Sequence, residues 1–157
     1  MIQRLTNLYN FFVSILNRFQ NIFLLSVRLY WGWQFFIAGK GKLQDPTRIA
    51  EFFTTLNIPH PLFTATFVGS VECFGGLFLL LGLGSRLVAI PLVINMTMAY
   101  LTAFPDVVKN IFSDPDSFVT ADPFLFLMAS LIILFFGAGK FSLDKLICHF
   151  CSKKNTI

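Results

Sequence analysis

Charged residues are scarce in this sequence. They make up 13% of the 157 residues, and 55% of the residues are hydrophobic, whereas about a quarter of a soluble domain is charged. So few charges cannot cover the surface of a water-soluble protein of this length. Together with a mean hydropathy of +0.72, the composition excludes an ordinary soluble domain and predicts a protein of the lipid bilayer.

Cysteine is also rare. Cys73, Cys148 and Cys151 cannot build a disulfide framework. Cys148 and Cys151 form a C-x-x-C motif close to Lys145 and two further lysines, whose positive charges favour the thiolate. Two interpretations of this motif stay open: a redox-active dithiol, and unmodified or lipidated cysteines beside the membrane. Zinc would need two more ligands, and His60 is predicted on the opposite side of the membrane, so we predict no metal site.

A continuous basic stripe is missing as well. The net charge is +4, but lysine and arginine stand at the ends of apolar segments, which is typical of membrane orientation and argues against a nucleic-acid partner.

We expect no removable signal peptide, because no short apolar stretch near the N-terminus ends in a small-residue cleavage site. If both termini lie on one side of the membrane, that side carries seven basic residues and the other side four, which predicts cytoplasmic termini.

Four apolar runs remain, at residues 22–38, 62–81, 87–104 and 123–137. At a rise of about 1.5 Å per residue, the first three cover most of a hydrocarbon core of about 30 Å, and the fourth is shorter. A turn of five residues separates the second and third runs, so we expect these helices to be antiparallel neighbours. Before the fourth run, Asp122 predicts a side-chain cap.

Two further helices are predicted outside these runs. Residues 1–20 carry apolar side chains at helical spacing, which is typical of an amphipathic helix in the headgroup region; packing on a partner subunit stays open. Residues 46–56 predict a short surface helix. The fold class is therefore all-α, an integral membrane four-helix bundle (21–144) with an N-terminal amphipathic interfacial helix and a cytoplasmic basic tail (145–157).

Two ionisable residues lie inside the apolar runs, Arg28 in the first and Glu72 in the second. A charge at mid-bilayer costs roughly 2.5–3.5 kcal/mol, so each needs a partner. They lie about 9 Å and about 14 Å from the cytoplasmic ends of antiparallel spans, and we predict that they form an ion pair. Asn95, Thr102 and Ser130 are candidates to complete the polar cluster. Two interpretations of this pair stay open. In the first it only fixes helix register, and in the second it forms a site for a proton, a headgroup or a quinone carbonyl.

Glycines accompany both charges. Gly69 and Gly76 share a helical face with the glutamate. Gly32 and Gly39 offer a matching face in the first span. Because small residues let helix backbones approach closely in a membrane, we predict that these two faces pack together.

Short motifs of glycine and charged residues follow one another along the spans. They are Arg28 with Gly32, G-x-x-K-L at 39–43, G-x-x-E-x-x-G-G at 69–76, and G-x-G followed by S-L-D at 137–144. Their order and spacing resemble the DoxX family of small four-helix bacterial membrane proteins. The resemblance covers about residues 25–144 and implies a four-helix bundle in a bacterial inner membrane. It also implies a link to redox complexes, since members resembling a subunit of thiosulfate:quinone oxidoreductase gave the family its name.

The favoured function is an accessory subunit of a redox-related or stress-related membrane complex, with the bilayer and a protein partner as its contacts. A quinone-linked oxidoreductase subunit, with quinone as the cofactor, and a carrier of small molecules or lipids are the alternatives; the formation of homo-oligomers is also open. Catalytic residues are unknown, with Arg28 and Glu72, and then Cys148 and Cys151, as candidates. The candidate ligand-binding residues are Arg28, Gly32, Lys42, Gly69, Glu72, Gly76 and Asn95.

Overall fold

The computed structural model describes residues 2–147, and each regular element in that range is a helix. The helices pack as a bundle, which confirms the predicted all-α class. In chain order they are α1 (Ile2–Gln44), α2 (Pro46–Thr55), α3 (Pro61–Leu81), α4 (Ser85–Ala103), α5 (Pro105–Lys109), α6 (Pro115–Thr120) and α7 (Pro123–Phe136).

Three helices are long and apolar enough to cross a membrane, by length and composition. They are α1 over Tyr9–Gln44, α3 and α4. The fourth predicted span is present as α7, but its 14 residues measure only about 21 Å, less than the hydrocarbon core of about 30 Å.

Local sequence explains where the helices begin and end. Proline occupies the first turn of five of them, where its missing N–H has no helical partner to lose. The predicted short helix at 46–56 is confirmed as α2, and the Asp45 carboxylate caps it by accepting a hydrogen bond from Arg48 N at 3.2 Å. Gly82 and Gly84, with φ of 69° and 56°, make the tight turn that sets α3 and α4 antiparallel.

The predicted cap at Asp122 is wrong. Its backbone is itself helical (φ −48°, ψ −40°), and its side chain makes no capping hydrogen bond. A carboxylate reaches the first N–H groups of a helix only from a non-helical backbone. Pro123 at the first turn is therefore what marks the start of α7.

The first helix differs from the prediction in its continuity. α1 runs for 43 residues without a break, about 64 Å, so residues 2–20 are continuous with the first span and do not form a separate element. The sequence has neither glycine nor proline before Gly32, and nothing interrupts the helix there. Tyr9, Phe12 and Leu16 are each more than half exposed, so this part of α1 extends beyond the bundle. Its position relative to the membrane stays a prediction.

The predicted glycine contact between α1 and α3 is confirmed. A Cβ atom on Gly32 would lie 3.0 Å from the carbonyl oxygen of Gly76, and one on Gly39 would lie 2.6 Å from that of Gly69. The two backbones therefore touch along most of α3. The core consists of side chains from α1, α3, α4 and α7, namely Phe35, Leu79, Ala89, Leu92, Met96 and Ile133.

Candidate functional site

Glu72 lies in the middle of α3 and is only 2% exposed. Its Oε1 atom accepts a hydrogen bond from Asn95 Nδ2 at 2.9 Å. Its Oε2 atom forms an ion pair with Lys42 Nζ. Both carboxylate oxygens therefore have partners, one on α1 and one on α4, which compensates for the removal of the charge from water.

Small residues bring these three side chains together. Gly69 lies one turn before Glu72, and a Cβ atom there would meet the Lys42 Cβ at 3.1 Å, so α1 approaches closely enough for the lysine to reach the carboxylate. Gly75 admits α4 in the same way, since its missing Cβ would lie 3.0 Å from the Leu92 side chain. Asn95 follows Leu92 by one helical turn on the face that looks toward α3.

Lys42 connects this buried cluster with an open groove. Its side chain is 27% exposed, compared with 2% for Glu72, and it contributes to a groove of about 600 Å³ between the end of α1 and α2. The pKa of the Asp45 carboxyl in the same groove lies below its ordinary value, first because the Thr47 hydroxyl donates a hydrogen bond to it and then because Arg48 N–H does. The groove lining includes Ala38, Ile49 and Phe52 as apolar or small side chains, and Lys42, Asp45 and Arg48 as charged ones.

Arg28 is 1% exposed, but it does not pair with Glu72, so the predicted ion pair between them is wrong. The guanidinium donates hydrogen bonds to four backbone carbonyls instead. Its Nε and Nη2 atoms bond to Leu79 O at 3.0 Å and Leu80 O at 3.3 Å. Its Nη1 atom bonds to Ala138 O at 2.6 Å and Phe141 O at 2.9 Å.

Helix register explains this difference. The glycine contacts set Arg28 against the last turn of α3, whose final carbonyls have no partner within the helix and carry the negative end of the helix dipole. Glu72 is seven residues before Leu79, about 10 Å away along the axis. The prediction took residue 22 as the cytoplasmic end of the first span and assumed that it lies level with the end of α3. Because α1 begins at Ile2, residue 22 is not a helix end and is not level with the end of α3.

Lys42 is the partner that reasoning about intramembrane charges missed. It stands near the end of α1, outside the predicted first span, and entered the candidates only through the motif G-x-x-K-L. A spacing could have pointed to it: Lys42 follows Gly39 by three residues, and Glu72 follows Gly69 by three. Because α1 and α3 are antiparallel, these two steps run in opposite directions, and Lys42 lies level with Gly69. The long lysine side chain covers the remaining helical turn to Glu72.

The other candidates divide into four groups. Asn95 joins the cluster as predicted. Thr102 and Ser130 do not, because their hydroxyls donate to the carbonyls of Met98 and Phe126 in their own helices, a bond that these residues commonly make within helices. Gly32 and Gly76 contribute close helix packing. Cys148 and Cys151 lie outside the described residues.

The Lys42–Glu72 pair predicts a measurable coupling. Lys42→Met leaves a buried carboxylate without its cation and should reduce the free energy of unfolding by about 3 kcal/mol. Glu72→Gln in the same chain removes that unpaired charge, so the double variant should lose less than the sum of the two single variants, with a coupling of about 1–3 kcal/mol. Denaturation in detergent measures all four proteins, and Lys40→Met, at an exposed position of the same helix, is the control. Additive losses would mean that the two residues do not interact.

The fold and this cluster define a helical membrane protein with a buried polar site shared by three helices. The DoxX family model matches residues 23–105, which is just over half of the chain and includes Arg28, Lys42, Glu72 and Asn95. The chain therefore belongs to the DoxX family, which confirms the resemblance seen in its motifs. No curated protein and no solved structure gives a significant match.

Proposed function

We propose that this DoxX protein is an accessory subunit of a redox-related complex in the bacterial inner membrane, with both termini in the cytoplasm. The observation that supports it best is the full engagement of Glu72, whose two oxygens are held by Lys42 and Asn95. A carboxylate held in this way stabilises the junction of three helices. The chain then serves as a membrane scaffold, and the partner carries out electron transfer. The link to redox chemistry comes from the family.

Purification tests this proposal. The full chain is expressed with an affinity tag in a bacterial inner membrane and extracted in mild detergent, and the eluate is passed through a sizing column. We expect a partner with a flavin, haem or iron–sulfur cofactor to elute with the chain at a fixed ratio, and deletion of the chain to lower the quinone-dependent turnover of that complex. Elution of the chain without a redox partner, together with unchanged turnover in the deletion strain, would overturn the proposal.

One observation favours a second candidate, a subunit that itself binds the quinone of an oxidoreductase. Lys42 both contacts Glu72 and faces the groove beside α2. The residues present fit a quinone, because the ammonium group can donate to a carbonyl oxygen while Ile49 and Phe52 contact an apolar ring and tail. A bound quinone would accept two electrons from the partner protein. The Lys42–Glu72 pair would then position its carbonyl and deliver one of the two protons, and solvent at the open groove would deliver the second proton and reprotonate the pair.

Glu72→Gln separates the two candidates in the purified complex. If the chain is an accessory subunit, quinone-dependent turnover per folded complex stays within about twofold of the wild type. If Glu72 delivers a proton, turnover falls by about 100-fold or more, which is the typical contribution of a general acid. Cys148→Ser together with Cys151→Ser applies the same test to an electron relay in the C-terminal tail.

A further inference from the structure

A second groove lies at the end of the bundle opposite to Lys42. It has a volume of about 650 Å³ and is bounded by the α3–α4 turn, the end of α7 and the segment that follows α7. Arg86, Lys140 and Lys145 contribute positive charge to its lining, and Asp144 is the acidic residue there. The function proposed above makes no use of this groove.

The backbone that carries Lys140 is held in place by the bundle. Arg28 donates to the carbonyl groups of Ala138 and Phe141 on either side of it, and Lys140 N donates to Asn21 Oδ1 of α1 at 3.0 Å. Arg86 is fixed too, because its Nη2 atom donates to Phe135 O at 3.1 Å. These cations therefore lie on a preorganised surface.

The acidic residue is engaged elsewhere. The two oxygens of Asp144 accept hydrogen bonds from Gly84 N at 2.7 Å and Ser85 N at 3.2 Å. This carboxylate therefore serves the N-terminus of α4, where it stabilises otherwise unpaired N–H groups. The three basic side chains retain an excess of positive charge that an external anion can balance.

The position of the groove limits what that anion is. α3 ends at Leu81 and α4 begins at Ser85, so the cations lie where the spans leave the hydrocarbon core. Leu87 and Phe136 also line the groove, and they are 74% and 59% exposed. A ligand at this depth meets basic groups at one end and apolar side chains at the other.

We propose that this groove binds the phosphate headgroup of an anionic phospholipid, with its acyl chains along Leu87 and Phe136. Basic pockets between transmembrane helices are typical binding sites for such headgroups. A single basic residue near the membrane surface contributes about a fivefold change in lipid affinity. Loss of both lysines should therefore weaken binding by roughly 25-fold.

The test measures the thermal unfolding midpoint of the full chain in maltoside detergent during titration with dioleoylphosphatidylglycerol. We expect this lipid to raise the midpoint, and the lipid concentration for half of the effect to increase about 25-fold in the double variant Lys140→Gln, Lys145→Gln. The control double variant is Lys40→Gln, Lys109→Gln, which changes the net charge equally at exposed positions near the other end of the bundle; it should stay within twofold. Each single lysine variant, expected to shift about fivefold, repeats the test if the double variant does not fold.

Three outcomes would overturn the proposal. Dioleoylphosphatidylcholine, which has the same acyl chains and no net charge, could protect the protein as well as phosphatidylglycerol does. The control variant could lose as much affinity as the groove variant, which would mean that total charge is what matters. Inorganic phosphate alone could protect at the same concentration, which would assign the groove to a soluble anion. None of these measurements depends on redox activity, so the result is independent of the proposed function.

Discussion

Replacing Gly39 by alanine should reduce the free energy of unfolding by about 3 kcal/mol or more, at the upper end of the usual cost of overpacking. The added Cβ atom would lie 2.6 Å from Gly69 O and 2.7 Å from Cys73 Cα, whereas van der Waals contact requires well over 3 Å. Both of these atoms belong to the backbone of α3, so no side-chain rotation can relieve the clash. The two helices must separate, which also draws Lys42 away from Glu72.

Gly41 provides a matched control two residues along the same helix. No atom lies within 4 Å of a Cβ atom added there, and alanine is the better helix former. Gly41→Ala should therefore raise the free energy of unfolding by about 0.5–1 kcal/mol. Unfolding in detergent, followed by the fluorescence of the two tryptophans, compares both variants with the wild type. Equal effects of the same sign would contradict the close contact between α1 and α3.

Much of the architecture could be predicted because each feature rests on local sequence. The spans follow from long apolar runs, the α3–α4 turn from Gly82 and Gly84, and α2 from the residues around Pro46. The packing of α1 on α3 could be predicted for a similar reason, since Gly39 and Gly69 are small residues at helical spacing in a membrane. Each of these features is indicated by residues that lie close together in the sequence.

The partner of Arg28 could not be predicted in this way. Two of its four acceptors, the carbonyls of Ala138 and Phe141, lie 110 and 113 residues farther along the chain. Backbone carbonyls are present at every position, so no residue type marks the ones that accept these bonds. Reasoning from side chains alone favoured the opposite charge inside the neighbouring span, Glu72, although the end of a helix also attracts a cation. The pairing depended on the α1–α3 register, which close glycine contacts determine.

Arg28→Gln is expected to reduce the free energy of unfolding by about 3–5 kcal/mol, the usual loss when one partner of a buried charged network is removed. The change removes the guanidinium donor from the carbonyls of Leu80, Ala138 and Phe141 in a buried site, while Leu79 O keeps its bond from Gly82 N at 3.1 Å. It should also release the segment that carries Lys140. Denaturation in detergent measures the loss of stability, and limited proteolysis after residue 137 measures the loosening of that segment.

Arg28→Lys shows whether charge alone is sufficient. Lysine keeps the positive charge, but its compact ammonium group cannot reproduce the planar fork with which arginine reaches separate acceptors. We therefore expect it to recover less than half of the stability lost in Arg28→Gln. Arg18→Gln, at an exposed position on the same helix, removes an equal charge and should change stability by no more than about 0.5 kcal/mol. Full recovery by lysine would show that Arg28 acts as a point charge near the end of α3. Partial recovery would show that its directed hydrogen bonds join α1, α3 and the segment after α7 into one folded unit.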